Sequence, residues 1–145
     1  MGFYRAALSF ELLKNDIGFD FIHEREKKNS KKFIDLLMEE NIKFQQEGLK
    51  NSIIIYGHCE MENRANLFAI NIINNGEMKN HNLISEILTD VFGIQVRSGC
   101  FCAGPFSMIL LKLDKKMVEN LIPVISIGIV KDKPGYIRMD LTFYL

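Results

Sequence analysis

The sequence predicts an α+β domain, a two-layer sandwich of helices against a mostly antiparallel sheet. Apolar residues recur at helical spacing in several segments, while others are short runs of β-branched and aromatic residues. The order of these segments fits two packed layers. At 145 residues the chain has the length of one domain with a substantial core, so residues 1–145 read as a single unit.

Residues 3–14 carry Phe3, Ala6, Ala7, Phe10 and Leu13 as a helical stripe. Gly18 interrupts it, and Asp20 is placed to cap a longer helix running to about residue 40. That helix turns Ile22, Phe33, Ile34, Leu36 and Leu37 inward, while the mixed charges of 24–32 form a solvated face. Strands are expected at 42–45, 52–56 and 66–73. Asn74-Asn75-Gly76 is a turn leading to a helix over 81–92, with Gly93 as its C-cap. A short strand at 94–97 enters a glycine-rich loop, helices over 106–111 and 115–125 follow, and a strand over 136–144 closes the chain.

Composition narrows the function classes. Eighteen basic residues balance eighteen acidic ones, giving no general pull toward nucleic acid or an anionic membrane. The apolar runs are too short to span a bilayer and no signal-peptide pattern opens the chain. Three cysteines do not make a disulfide framework, which points to the reducing cytoplasm.

Chemistry concentrates in Arg97-Ser98-Gly99-Cys100-Phe101-Cys102-Ala103-Gly104-Pro105. Gly99 and Gly104 let the backbone turn sharply, and an arginine beside an exposed thiol favours the thiolate, the nucleophilic form. This segment resembles the cysteine loop of the class V aminotransferase superfamily, pyridoxal-phosphate enzymes that include cysteine desulfurases and selenocysteine lyases. Further likenesses run in family order over nearly the whole chain. Ile17-Gly18 with Ile22-His23-Glu24-Arg25-Glu26 looks like the helix pair after the family's large domain, and Arg64-Ala65-Asn66-Leu67-Phe68-Ala69-Ile70 like a strand with a leading arginine. Lys133-Pro134-Gly135-Tyr136-Ile137-Arg138-Met139-Asp140-Leu141 is similar to the family's late PGxxR strand.

The resemblance implies the small C-terminal domain of a fold-type I pyridoxal-phosphate enzyme, a transferase or lyase. It implies that Cys102, five residues after Arg97, is the catalytic thiol, which in a desulfurase attacks the substrate's sulfur and carries it away as a persulfide. Cys100 becomes a possible second thiol that resolves or protects Cys102. Arg97 and Arg138 become substrate-binding residues, the latter for the α-carboxylate, whose two oxygens a planar guanidinium matches. The relatives hold pyridoxal phosphate on a lysine usually preceded by histidine. None of the thirteen lysines here follows a histidine, so no cofactor is expected on this chain alone. The implied partner is a large cofactor-binding domain or subunit. A small domain without it would expose apolar surface, which predicts a homo-oligomer joined partly through Phe3, Tyr4, Ala7 and Phe10. At two places the chain departs from the family pattern: Asp140 stands where a polar group is frequent, and Pro105-Phe106-Ser107-Met108 replaces Pro-Tyr-Gly-His.

Two other readings remain open from the residues. One is a non-catalytic interaction or regulatory module that retains the fold. The other is a thiol or metal-binding protein using Cys59, Cys100 and Cys102, with His58, Glu60 and Glu62 near the first of them.

Overall fold

A computed structural model describes residues 2–60, 62, 64–100, 103–128 and 133–143. The fold is α+β, with a five-stranded antiparallel sheet among the described residues. Helix α1 (Gly2–Glu11) passes into a π-helical segment (Leu12–Ile17) and then into the long α2 (Phe19–Gln46). Strands β1 (Ser52–Tyr56), β2 (Leu67–Asn74) and β3 (Glu77–Met78) follow, then α3 (His81–Asp90), β4 (Arg97–Gly99), α4 (Gly104–Leu110), α5 (Lys115–Ser126) and β5 (Tyr136–Asp140). The sheet runs β1-β2-β5-β4, with β3 folded back on β2.

Alternation along the strands divides the sheet into two faces. Phe68, Ile70 and Ile137 point to the side covered by α2 and α3 and supply the buried core there. The ring of Phe33 on α2 meets Phe68 edge-on at 4.8 Å between centroids. Across the gap, Ser98 of β4 donates to Asn82 of α3 at 2.8 Å, docking that helix on the far strands. Asn41 of α2 bonds both backbone groups of Ile53, donating to its carbonyl at 2.9 Å and accepting from its N–H at 2.6 Å. That side-chain amide stands where a neighbouring strand would lie along the free edge of β1.

Several expectations need correction. Residues 42–45 are not a strand but the last turns of α2. Ile34, Leu37, Asn41 and Phe44 recur at helical spacing and are its less exposed positions, so the stripe carries the helix past residue 40. Leu36 lies off that stripe and is 49% exposed instead of inward. Asp20 is no cap: Gly18, at φ 87°, ends the π-helical segment and starts α2, leaving Asp20 in the first turn, where its charge suits the helix dipole.

The strand expected at 94–97 begins only at Arg97. The Ile94 N–H is taken by the carbonyl of Leu88 at 2.8 Å, in a cap built on Gly93 at φ 68°. Gly104, expected in a turn, opens α4 with Pro105 in its first turn. The Asn75-Gly76 turn has positive φ at both residues and folds a short hairpin, so β3 precedes the helix that the turn was expected to feed. Strand β5 ends at Asp140 rather than at residue 144, which lies outside the described residues.

Candidate functional site

Arg97 and Arg138 are 41 residues apart in the chain, yet the β4–β5 register sets them directly opposite each other. Directly opposed residues share a face, and Asp140, two residues after Arg138, shares it as well. These three residues, with Thr89, Gln95, Val96 and Met139, line a cavity of about 450 Å³. Arg97 is exposed and Arg138 half-buried. Opposed like charges on neighbouring strands are unfavourable on their own, and Asp140 supplies a compensating charge in the same cavity.

A buried polar network lies beside the arginines on the same face. Asn71, 99% buried, donates to the Tyr56 hydroxyl at 3.1 Å and to the Gly135 carbonyl at 3.0 Å. Its own side-chain oxygen has no partner in the structure. Burial pushes the Tyr56 phenol above its ordinary range, while the hydrogen bond from Asn71 works in the other direction. His81, the first residue of α3, packs against Gly135 so tightly that a Cβ there would meet its ring carbons at 2.8 Å. A ring nitrogen of His81 reaches the Lys133 carbonyl at 3.1 Å. Together these contacts fix the Lys133–Gly135 segment that leads into β5 and Arg138. Sequence reading passed over Asn71 and Tyr56 and gave His81 no partner. The available signal was a lone asparagine inside the apolar run Leu67–Ile73.

The cysteine loop leaves β4 at Gly99, whose φ of 121° favours glycine. The carbonyl of Cys100 accepts from the Ala103 N–H at 3.0 Å and from the buried Ser107 hydroxyl at 2.9 Å. Ser107, one of the departures from the family pattern, thus ties the loop to α4. Cys100 is half-buried and lines a small apolar cavity of about 150 Å³ between α4 and α5. Cys102 lies outside the described residues.

The thiol of Cys59 is in a different place, exposed in the loop after β1 beside a cavity of about 880 Å³. Lys27, Lys28 and Lys31 of α2 line that cavity, as do Glu60 and Glu62. Arg64 closes the loop from behind, bonding the carbonyls of His58 and Leu67 and standing 4.3 Å over the Phe68 ring. Burial there lowers its basicity from the usual guanidinium value. Cys59 and Cys100 line different cavities, and no group of three metal-ligating side chains occurs among the described residues. No helix among them is long and apolar enough to cross a membrane.

Pyridoxal phosphate needs an amine at the point of attachment, and among the described residues no lysine lines the cavity holding Arg97 and Arg138. The residues present there do not fit the cofactor on their own, though they suit a carboxylate. No family model, curated protein or solved structure matches the chain.

Proposed function

We propose that this chain is the small domain of a pyridoxal-phosphate enzyme of the class V aminotransferase kind, and that Arg97 and Arg138 form its carboxylate clamp. The observation that carries the reading is the β4–β5 register, which opposes the two arginines in one cavity. In this reading a separate large domain or subunit supplies the lysine and the phosphate cradle. Arg138 binds the substrate carboxylate through paired N–H donors, and Arg97 offsets charge beside it. Asp140 keeps the pair tolerable in the empty site and competes for Arg138, which favours weak binding until the second domain closes over the cavity. Cys102, three residues beyond β4, is the thiol nucleophile of this reading, with Cys100 behind it as the second thiol.

Titration of the ¹⁵N-labelled chain with L-alanine, a plain α-amino carboxylate, tests the clamp. Amide shifts should centre on 95–97 and 138–140. Arg138→Gln should weaken the dissociation constant by about 10- to 100-fold, the scale of a lost charge-assisted hydrogen-bond pair, and Arg138→Lys should fall between. Shifts spread evenly over the surface, or an unchanged constant in Arg138→Gln, overturn the proposal. The second reading, an interaction module without chemistry, is favoured by the exposed apolar stripe of α1 and expects no carboxylate binding at all.

A further inference from the structure

Asn75-Gly76 is the one Asn-Gly pair in the sequence. Both residues are exposed at the tip of the β2–β3 hairpin. Both hold positive φ, 56° and 81°, the two-residue turn that matches the twist of the strands. Such a pair carries a latent reaction. The backbone nitrogen after an asparagine is placed to close a five-membered ring on the side-chain carbonyl carbon, and glycine puts no side chain in the way.

The fold holds this pair against a second segment. The Gly76 N–H donates to the Lys50 carbonyl at 2.7 Å, and the Asn75 N–H donates to the Asn51 side-chain oxygen at 2.9 Å. Beyond the turn, Asn74 pairs with Glu77, Ile73 pairs with Met78, and the Lys79 N–H donates to the Ile72 carbonyl at 2.8 Å. An amide nitrogen attacks carbon only after giving up its proton. While the Gly76 N–H is bonded to Lys50, base does not reach that proton, the same protection that slows amide hydrogen exchange.

We propose that Asn75 is a self-modification site gated by the hairpin: its side chain is converted from the open turn alone, and the isoaspartate product does not close again. In the open turn hydroxide takes the Gly76 amide proton. The nitrogen then bonds to the Asn75 side-chain carbonyl carbon and the bond from that carbon to Nδ2 breaks. The departing nitrogen takes a proton from water, which returns the hydroxide, and leaves as ammonia. Water opens the resulting succinimide at either carbonyl, giving aspartate or isoaspartate. Isoaspartate routes the backbone through the side chain and lengthens the turn by a methylene, and register in a hairpin is fixed by turn type and loop length. The Asn74–Glu77 and Ile73–Met78 pairs are therefore lost. Met78 leaves with them, and its sulfur is 3.5 Å from the side-chain nitrogen of Asn71, so the change reaches the buried network beside the arginines. The inference is independent of the proposed chemistry.

The full chain is incubated at neutral pH, folded and in urea, and the peptide holding Asn75 is followed by mass spectrometry for conversion of amide to acid. The folded chain should convert at least about 30-fold more slowly, the factor that two net hydrogen bonds set between closed and open turns. Asn51→Ala, which removes one of them, should speed the folded rate about 5-fold and leave the urea rate unchanged. Equal rates in the two states, or a folded rate indifferent to Asn51→Ala, overturns the proposal. Hydrogen exchange supplies a second measurement on the unmodified chain. The Gly76 amide should be slowed by the same factor as the conversion, because both draw on one opening. Exchange at the unprotected rate overturns the gating. In the isolated isoaspartate form the Lys79 amide should lose its protection, and a product that keeps it overturns the claim that the hairpin stays open.

Discussion

On the helix-covered face of the sheet, Phe68, Ile70 and Ile137 are packed out of water, whereas the opposite face carries Tyr56, Asn71, Arg138 and Arg97. The same four strands serve both faces, because alternate residues point to opposite sides. The covered face is stabilised by apolar area, which is non-directional and tolerates adjustment. The other face depends on hydrogen bonds of fixed geometry, in which each partner determines where the next can sit. A change on the first face therefore costs global stability, while a change on the second moves the arginines.

Substitutions on the two faces put this contrast to the test. Phe68→Ala should have the largest effect, about 3–5 kcal/mol of lost stability, the usual range for a fully buried aromatic. Urea denaturation gives the value, and a loss under 1 kcal/mol would mean that the covered face is not the core. Where the segment leading into β5 meets α3, Gly135→Ala should cost about 1–3 kcal/mol, because the added methyl collides with the His81 ring. In a His81→Ala background most of that cost should disappear; equal costs in both backgrounds would show that the close approach does not govern the turn.

Tyr56→Phe should have the smallest effect, about 1 kcal/mol at neutral pH from the lost hydrogen bond with Asn71. Its pH dependence sharpens the contrast further. The folded phenol titrates above its ordinary value of 10.0, so as pH rises past that value the unfolded chain loses its proton first. The contribution of Tyr56 is thus complete below about pH 10 and is lost as pH rises through the folded value. Tyr56→Phe should flatten that part of the stability curve, and an identical alkaline decline in both proteins would rule the account out.

The covered face was the legible one. Runs such as Ser52–Tyr56 and Leu67–Asn74 announce their strands through β-branched residues, and Asn75-Gly76 announces its turn. Residues 42–45 misled because Ile42 and Phe44 alternate with polar neighbours like a strand, while the helical stripe that claims them starts eight residues earlier at Ile34. The arginines were legible as residue types and, through the resemblance, as a pair. Their cross-strand placement depends on register between distant segments, which no local pattern encodes. The contacts around Gly135 were illegible for the same reason, since His81 lies 54 residues away. Arg64 was visible as a leading arginine, but its bonds to the His58 and Leu67 carbonyls belong to the folded loop alone.

The paired hydrogen bonds from Asn41 to Ile53 carry a consequence for behaviour at high concentration. A sheet that ends in an open strand offers a template on which further chains can polymerise edge to edge. Strand β1 is such an end, and along its length runs Ile53-Ile54-Ile55, a sequence well suited to fibril growth. By occupying both outward-facing backbone groups of Ile53, one side-chain amide makes the addition of a foreign strand sterically unrewarding at that point of the edge. The other end of the sheet, β4, is three residues long and offers little to extend. Open-ended growth through strands is thereby hindered at both margins of the sheet.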